Sequence, residues 1–435
     1  MSNPGWRDGL SLLQETGFRR LFAARLISMF GSAMTPIALP FAVLDDLAGT
    51  PSQVGLLVAA GALTQVVMQL FAGALADRGS RRRQMIGADL LAAAAQGSIA
   101  LLVLTGRATY AELLALHAIS GVAFALHFPA AVGLVPLVVP RERLQAANAL
   151  LSIAQASAFA AGASAGGLIA ATAGAGAALA IDAATFAVSA ALIAGIRPSA
   201  QRRSAGASLV RELRDGWREF TAHTWLWAIV LQFTFMLMAF FGAWAVLGPV
   251  VAKQSLGGAA SWGWIAGANG AGLIAGGVLA LRLHFERPML TATLCCLLNV
   301  GVPLLLAVPA PVAAIAAAAF TAGVGGEIFS VLWNTALHTR VAPEALSRVS
   351  SYDVLGSIAL VPVGEALAGV GAEQIGTQLT LLLCAAGIVL PTLAVLGVRD
   401  VRELRALTAD VASADLAATI PPPVVLAART PPRDP

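Results

Sequence analysis

Twelve long apolar stretches, separated by short polar segments, fill most of the 435-residue chain. Each stretch has about 20 residues or more, the length that an α-helix needs to cross roughly 30 Å of hydrocarbon. Isolated strands are excluded, because lipid offers no partners for their backbone groups. The predicted spans are 20–44, 53–75, 84–105, 110–137, 145–171, 175–196, 225–251, 259–282, 288–308, 311–337, 349–370 and 374–397. The pattern predicts an all-α polytopic membrane protein with twelve transmembrane helices.

The spans form two groups of six, separated by a more polar linker. The expected divisions are an N-terminal segment (1–19), an N-terminal six-helix half (20–196), a linker (197–224), a C-terminal six-helix half (225–397) and a tail (398–435). Apolar linker residues between Leu209 and Phe220 share one helical face, which is typical of a helix on the inner membrane surface. An ordinary solvated linker helix has the same pattern. The proline-rich end of the tail is expected to be disordered.

Positive charge gathers on alternate loops. The basic loops and ends lie near Arg20, Arg82, Arg143, Arg203, Arg287, Arg340 and Arg402. The intervening loops hold little that is basic beyond Arg107 and Lys253, which is the sole lysine. Because cytoplasmic loops collect Lys and Arg, both termini are expected in the cytoplasm. The preference for Arg over Lys, with abundant Ala and Gly, suggests a GC-rich bacterial gene and therefore a bacterial cytoplasmic membrane.

Composition excludes several classes of protein. Only 11% of residues are charged and 58% are hydrophobic, far from a soluble chain of this length. No basic patch with interleaved aromatic residues points to nucleic acid. Five scattered histidines, and cysteines confined to apolar stretches, predict no metal, cofactor, disulfide framework or enzymatic site. An ATP-binding P-loop needs Gly before Lys, whereas Lys253 follows Ala252.

The loop after the second span carries the most specific motif, Gly73-Ala-Leu-Ala-Asp77-Arg78-Gly79-Ser80-Arg81-Arg82-Arg83. Asp77 suits the N-terminus of a neighbouring helix, and the arginines suit carboxylates such as Asp89 or lipid phosphates. The loop resembles the signature of the major facilitator superfamily, G-x-x-x-D-R-x-G-R followed by Arg or Lys, with the second Gly replaced by Ser80. The resemblance implies a gate that locks the outward-facing state, formed by Gly73, Asp77, Arg78, Arg81 and Arg82.

Other stretches extend this resemblance over about residues 15–400. Those that begin at Phe18, Pro140 and Pro343 are similar to the twelve-span drug-efflux branch, which includes macrolide exporters and siderophore exporters of the enterobactin type. The resemblance implies a major facilitator fold, in which two halves rock around a central site. In span five, Gly162, Gly166 and Gly167 resemble the antiporter signature of this superfamily and favour export. Close helix packing alone explains the same glycines.

Ionisable groups inside membrane spans are costly and suggest function. Proton-coupled export needs a carboxylate or histidine that gains and loses a proton as access alternates. Glu327 is the leading candidate, because its position near the middle of span ten is closest to the expected cavity; Asp182, Glu365 and His127 follow. A structural hydrogen bond or ion pair between helices is the alternative for each carboxylate, and a packed, neutral histidine is the alternative for His127. Span four lacks the mid-membrane arginine that many proton-driven drug antiporters of this superfamily carry.

Span seven is unusually rich in methionine and aromatic residues, which adapt to varied apolar ligands. The candidate substrate-binding residues are Phe128, Gln232, Phe235, Met236, Trp244, Asn269, Trp333 and Asn334. Bulky apolar residues that face lipid are the alternative for the aromatic members of this set.

These features predict a secondary active exporter of amphipathic small molecules, coupled to protons, embedded in the lipid bilayer and acting as a monomer. A dedicated exporter of a siderophore or other natural product, or a lipid transporter, is an alternative within transport. A membrane sensor or partner without transport is an alternative from another class. A sensor should carry a sizeable soluble output domain, and neither the linker nor the tail is long enough to form one.

Overall fold

The computed structural model describes residues 11–197, 209–283, 285–308 and 310–405. Twelve helices in these ranges are long and apolar enough to cross a membrane, which confirms the predicted fold class. We number them as spans 1 to 12. Spans 1 to 6 are Thr16–Asp46, Pro51–Gln69, Arg81–Leu104, Tyr110–Leu137, Arg141–Ala173 and Ala175–Ala194. Spans 7 to 12 are Thr224–Leu256, Ala259–Arg282, Pro288–Ala307, Val312–Arg340, Arg348–Gln374 and Thr377–Leu396.

Several spans deviate from a single regular helix. The helix of span 2 continues to Arg78, and span 11 consists of two helices, Pro343–Ile358 and Val361–Gln374. Spans 1 and 7, the first of each group of six, contain π-helical stretches at Ala42–Asp46, Gly242–Leu247 and Ala252–Leu256. A π-helical turn locally widens an α-helix by replacing its hydrogen bonds with longer-range i→i+5 bonds. Such turns are frequent at functional sites. The two halves therefore share an irregularity in corresponding spans.

Local capping defines where the spans begin and end. Thr109 and Glu112 form a capping box at the start of span 4, with the Thr109 backbone N–H donating to the Glu112 carboxylate at 3.0 Å. Spans 5 and 6 meet at Gly174, whose φ of 87° lies in the left-handed region that favours glycine. The chain can therefore reverse direction there within a single residue.

Contacts between the two halves concentrate at one end of the molecule. We name it the Lys253 end; it carries Asp45, Ser52, Lys253 and Glu373. Lys253 Nζ lies 2.9 Å from Asp45 Oδ1, and the Ser52 backbone N–H donates to Glu373 Oε1 at 2.9 Å. The opposite end carries the loops around Arg82, Arg143, Arg287 and Arg340, and we name it the arginine-rich end.

Small residues allow spans 5 and 8 to touch across the two halves. A Cβ built at Gly167 would lie 2.5 Å from the Ala259 carbonyl oxygen and 2.6 Å from Gly263 Cα. Spans 2 and 11 meet similarly, because a Cβ at Gly55 would lie 2.5 Å from the Glu365 carbonyl oxygen. The backbones approach so closely that no larger residue fits without moving one half relative to the other.

The linker contains a helix, Leu209–Ala222, that packs on span 11. The rings of Trp217 and Phe220 lie 5.5 and 5.9 Å from the ring of Tyr352. Phe220 is buried, whereas about half of Trp217 is exposed. The helix is therefore attached to the C-terminal half by aromatic contacts. The proline-rich tail lies outside the described residues.

Candidate functional site

A cavity of about 410 Å³ lies among spans 7, 8, 9, 10 and 11. We name it the C-half cavity. Its wall is formed by residues from 229–241, 269–273, 296–299, 322–333 and 353–358. These ranges fall in the first half of span 7, the second half of span 10 and the start of span 11. The cavity therefore lies on the arginine-rich side of the middle of the molecule, and its volume is in the range of small-molecule sites.

One wall of the cavity is a ladder of aromatic rings. The rings of Phe233 and Phe329 stack with centroids 4.2 Å apart, and Phe329 stacks in turn on Trp333 at 5.9 Å. Phe233 comes from span 7, whereas Phe329 and Trp333 lie one turn apart on span 10 and so share a helix face. Stacked rings of this kind provide a flat, polarizable surface for an apolar ligand.

A carboxylate lies at the end of this ladder. Trp333 Nε1 donates a hydrogen bond to Asp353 Oδ2 at 2.9 Å, and Ser357 lies near the same carboxylate one turn further along span 11. Asp353 is on span 11 and lines the cavity together with Asn269. Asn269 Nδ2 donates to the Ala319 carbonyl at 2.9 Å. The polar groups on the wall are thus held in place by the protein, as in a preformed binding site.

Three of the eight predicted substrate-binding residues line the C-half cavity, and five do not. Met236, Asn269 and Trp333 lie on the cavity wall. Gln232 is buried elsewhere and donates to Thr392 Oγ1 at 3.0 Å, and Trp244 stacks on Phe240 and contacts Trp262. The other three candidates, Phe128, Phe235 and Asn334, do not line the cavity either.

Phe128, Phe235 and Asn334 point away from the C-half cavity. Phe128 and Phe235 are 49% and 41% exposed, as side chains that face lipid would be. Asn334 Nδ2 turns back to its own helix and donates to the Ser330 carbonyl at 2.8 Å. Phe128 lies on span 4, which forms no part of this wall. For Phe235 and Asn334 helix rotation explains the difference, because each residue advances the helix face by about 100° and apolar composition alone does not fix the face.

Glu327, the leading proton-coupling candidate from the sequence, is not on the wall of the C-half cavity. Glu327 lies off the wall, against span 8, where a Cβ at Gly276 would be 3.0 Å from Glu327 Cβ. Its neighbours Gly326 and Phe329 do line the cavity. The acidic residue on this wall is Asp353, which is not among the candidates named from the sequence. The available signal was a carboxylate only a few residues inside the apolar stretch of span 11.

Asp182 belongs to a buried polar cluster within the N-terminal half. The Thr35 hydroxyl donates to Asp182 Oδ2 at 2.7 Å, and Gln96 Nε2 donates to the same oxygen at 3.0 Å. Spans 1, 3 and 6 meet at this cluster. Asp182 Oδ1 is buried and has no hydrogen-bond partner among the described residues.

Glu365 is buried on the face of span 11 that packs against span 2. Positions 365, 369 and 373 share this face, since Gly369 contacts Ser52 and Glu373 accepts from the Ser52 backbone. Glu365 Oε2 has no hydrogen-bond partner among the described residues. A buried carboxylate oxygen with no partner in the described part of the chain therefore lies at a contact between the two halves.

His127 takes part in a three-residue cluster with Asp89 and Ser189. His127 Nδ1 lies 2.6 Å from Asp89 Oδ1, and the Ser189 hydroxyl donates to Asp89 Oδ2 at 2.6 Å. Asp89 is completely buried. Sequence reasoning offered Asp89 as a partner for the loop arginines, whereas the structure gives it a histidine and a serine from spans 4 and 6.

The arginines of the predicted gating loop bind helix ends of the N-terminal half. Arg81 Nη1 donates to the Gly133 carbonyl of span 4 at 2.8 Å, and Arg82 Nε donates to the Ile193 carbonyl of span 6 at 3.2 Å. Cations are favourable at helix C-termini, where carbonyls lack partners within the helix. Ser80, at the position of the family's second Gly, caps span 3 by accepting from the Arg83 backbone N–H at 3.4 Å.

Three residues of the predicted gate lie in the helix of span 2, but Gly73 and the side chains of Asp77 and Arg78 are outside the part of the structure that is described. The glycines of span 5 lie at close contacts between helices. A Cβ at Gly162 would meet the Phe30 carbonyl oxygen at 2.2 Å, and one at Gly166 would meet Met34 Cα at 2.7 Å. These two glycines pack on span 1, whereas Gly167 packs across the halves.

Comparisons with known proteins agree with this architecture. Macrolide efflux protein A of Streptococcus pyogenes is 25% identical over 403 residues, which cover 89% of this chain and 97% of that protein. A nucleoside transporter structure matches with a TM-score of 0.67 at 15% identity, covering 87% of this chain and 98% of its own. A D-xylose–proton symporter matches with a TM-score of 0.68 at 13% identity, covering 89% and 99%.

The two structural likenesses establish the fold alone, because their identities are low. The model of the Major Facilitator Superfamily matches residues 21–356, which are well over half of the chain. The chain therefore belongs to the Major Facilitator Superfamily.

Proposed function

We propose that the chain is a secondary active exporter of amphipathic small molecules, driven by protons through alternating access. The observation that carries this proposal is the C-half cavity, whose stacked aromatic wall and few fixed polar groups suit an amphipathic ligand. The similarity to a macrolide efflux protein supports the direction of transport. In this account the chain moves its substrate without changing it chemically and acts as a monomer, since both halves belong to one chain.

The proposed orientation places the arginine-rich end in the cytoplasm of a bacterial cell and the Lys253 end outside. Excess positive charge on the loops of one side supports this assignment. Both termini are then cytoplasmic. The hydrogen bonds of Arg81 and Arg82 to helix ends agree with a role for this loop in stabilising the N-terminal half during rocking.

In this orientation the described conformation is inward-facing. The halves touch through Lys253 and Asp45, through Ser52 and Glu373, and through the glycines of spans 5 and 8. All these contacts close the outer end. The cavity lies toward the cytoplasmic end, where an export substrate would enter before the halves rock.

Glu365 is the proton carrier that we propose in place of Glu327. It is buried at a contact between spans 2 and 11, and rocking must break that contact. Opening the outer end would therefore hydrate a carboxylate that the described conformation buries without a full set of partners. Asp182 is already held by Thr35 and Gln96 within one half, which suits a structural role.

Everted membrane vesicles test the proposed function. Vesicles containing the chain should accumulate some members of a panel of fluorescent dyes and antibiotics when their lumen is acidified, and release them when nigericin collapses the pH gradient. Vesicles from cells that lack the chain are the control. Accumulation that continues after the gradient collapses would contradict proton coupling. No accumulation of any panel member would contradict export of a broad amphipathic class.

A further inference from the structure

The described wall of the C-half cavity carries an acidic side chain but no basic one. Asp353 is the only Asp or Glu on the wall, and the described wall residues include no Arg, Lys or His. A carboxylate in an apolar enclosure is favourable only when a cation or several hydrogen bonds compensate its lost hydration. The described residues therefore supply no such cation on the wall.

The hydrogen bonds to Asp353 fix the carboxylate without neutralising it. The Trp333 indole, which donates to the carboxylate, and the nearby Ser357 hydroxyl are both uncharged. A carboxylate has about four acceptor sites, so even two donors would leave capacity for a ligand. The indole bond also couples the orientation of the carboxylate to the aromatic ladder.

The ladder presents further negative potential next to this carboxylate. Aromatic faces attract cations because their quadrupole places negative charge above the ring. The rings of Phe233, Phe329 and Trp333 stack in series and end at Asp353, which accepts from Trp333. A ligand on the ladder would therefore meet apolar faces along its body and an anion at one end.

We propose that the C-half cavity is a binding site for organic cations, with Asp353 as the counter-ion and the aromatic ladder as the platform for the apolar body. This inference rests on the proposed function and narrows its substrate class to cationic amphiphiles. The favoured ligand carries one positive charge that is tertiary, quaternary or delocalised, because such a cation loses little hydration on entering an apolar enclosure. The cavity of about 410 Å³ admits a ligand of a few fused or linked rings.

Two ligands of similar size and shape, one charged and one neutral, measure how much the positive charge of the ligand contributes to binding. Methyltriphenylphosphonium and triphenylphosphine oxide have three identical rings and similar size, but only the first is charged. Equilibrium binding of each to the purified full chain in detergent should favour the cation by roughly ten- to a hundredfold. The Asp353→Asn variant keeps an acceptor for Trp333 and should bind the two ligands with similar affinity.

Glu327→Gln is the control variant, because it removes a carboxylate from span 10 that lies off the cavity wall. It should keep the full preference for the cation. Equal binding of the two ligands by the unmodified chain would overturn the inference without reference to any variant. A preference that survives Asp353→Asn would overturn it as well. Unchanged affinity of Asp353→Asn for the neutral ligand shows that this variant is folded.

Binding in detergent needs neither a gradient nor transport, so the two proposals fail separately. Preferential binding of the cation without any export would support the proposed binding site and contradict the proposed function. Equal export of neutral and cationic compounds would support the proposed function and contradict the proposed cation site.

Discussion

Lys253 Nζ and Asp45 Oδ1 lie 2.9 Å apart and join the C-terminal half to the N-terminal half. Lys253 also donates to the Leu44 carbonyl, so one side chain makes two bonds across the contact. Both side chains are partly exposed, and an exposed ion pair contributes at most about 1 kcal/mol after screening by solvent. The pair therefore biases the closed outer end without locking it, as a cycling transporter requires.

Reversing this charge should open the outer end. Lys253→Asp places two like charges together and should raise maleimide labelling of a cysteine at Ser52 up to about fivefold, in a chain whose native cysteines are replaced. The exchange Lys253→Asp with Asp45→Lys should restore slow labelling. Arg107→Asp, in the exposed loop between spans 3 and 4, is the matched control and should have no effect. If the double variant is labelled as fast as Lys253→Asp alone, the ion pair between positions 45 and 253 does not hold the outer end closed.

Gly167→Ala should disrupt the contact between spans 5 and 8. Its Cβ would lie 2.5 Å from a backbone oxygen and 2.6 Å from a backbone carbon, neither of which can rotate away. Overpacking of this kind costs about 1 to 3 kcal/mol, so the melting temperature should fall. Gly87→Ala, where nothing lies within 4 Å of the new Cβ, should keep or slightly raise the melting temperature. Similar melting temperatures for the two variants would show that the close contact is absent.

His127→Ala should destabilise the chain by removing one of the two partners of the completely buried Asp89. An unsatisfied buried acceptor costs about 1 to 3 kcal/mol, more if it is charged. Adding Asp89→Asn to His127→Ala should recover part of the loss, because the amide is neutral and can still bond to Ser189. Thermal unfolding of the two single variants and the double variant forms a cycle that measures this coupling. Additive losses would indicate that the two residues act independently.

Glu365→Gln should uncouple transport from the proton gradient. The amide keeps the size of the carboxylate at the contact between spans 2 and 11 but does not titrate. Substrate should still equilibrate across the membrane, and its accumulation under a pH gradient should disappear. Glu327→Gln is the matched control and should accumulate substrate normally. The opposite pattern would return the role of proton carrier to Glu327.

The sequence was sufficient for the span architecture but not for the rotation of each span. Length and hydropathy determine that a segment crosses the membrane, and this fixed the twelve spans. Whether a residue lines a cavity depends on a helix rotation that one position changes by about 100°. Gly326 and Phe329 therefore line the cavity while Glu327, between them, faces span 8.

Contacts between distant segments were equally hard to foresee. The cluster of Asp89, His127 and Ser189 joins three spans, and the partner of Asp89 depends on their packing rather than on any local pattern. The pairing of Lys253 with Asp45 spans more than 200 positions. Asp353 was visible as a carboxylate inside an apolar stretch, yet its importance comes from the indole of Trp333, which only the fold brings within 2.9 Å.

The most direct test of the central claim uses the purified chain in liposomes with an imposed pH gradient and a fluorescent amphipathic dye outside. Liposomes contain no other pump, and a dye with a permanent charge cannot be trapped by protonation in the acidic lumen, so accumulation above that of protein-free liposomes must come from the chain. Proton-driven export predicts that the dye accumulates above its external concentration only when the lumen is acidic, and leaves when nigericin removes the gradient. Dye entry that stops at equal concentrations, with or without the gradient, would contradict proton-driven export.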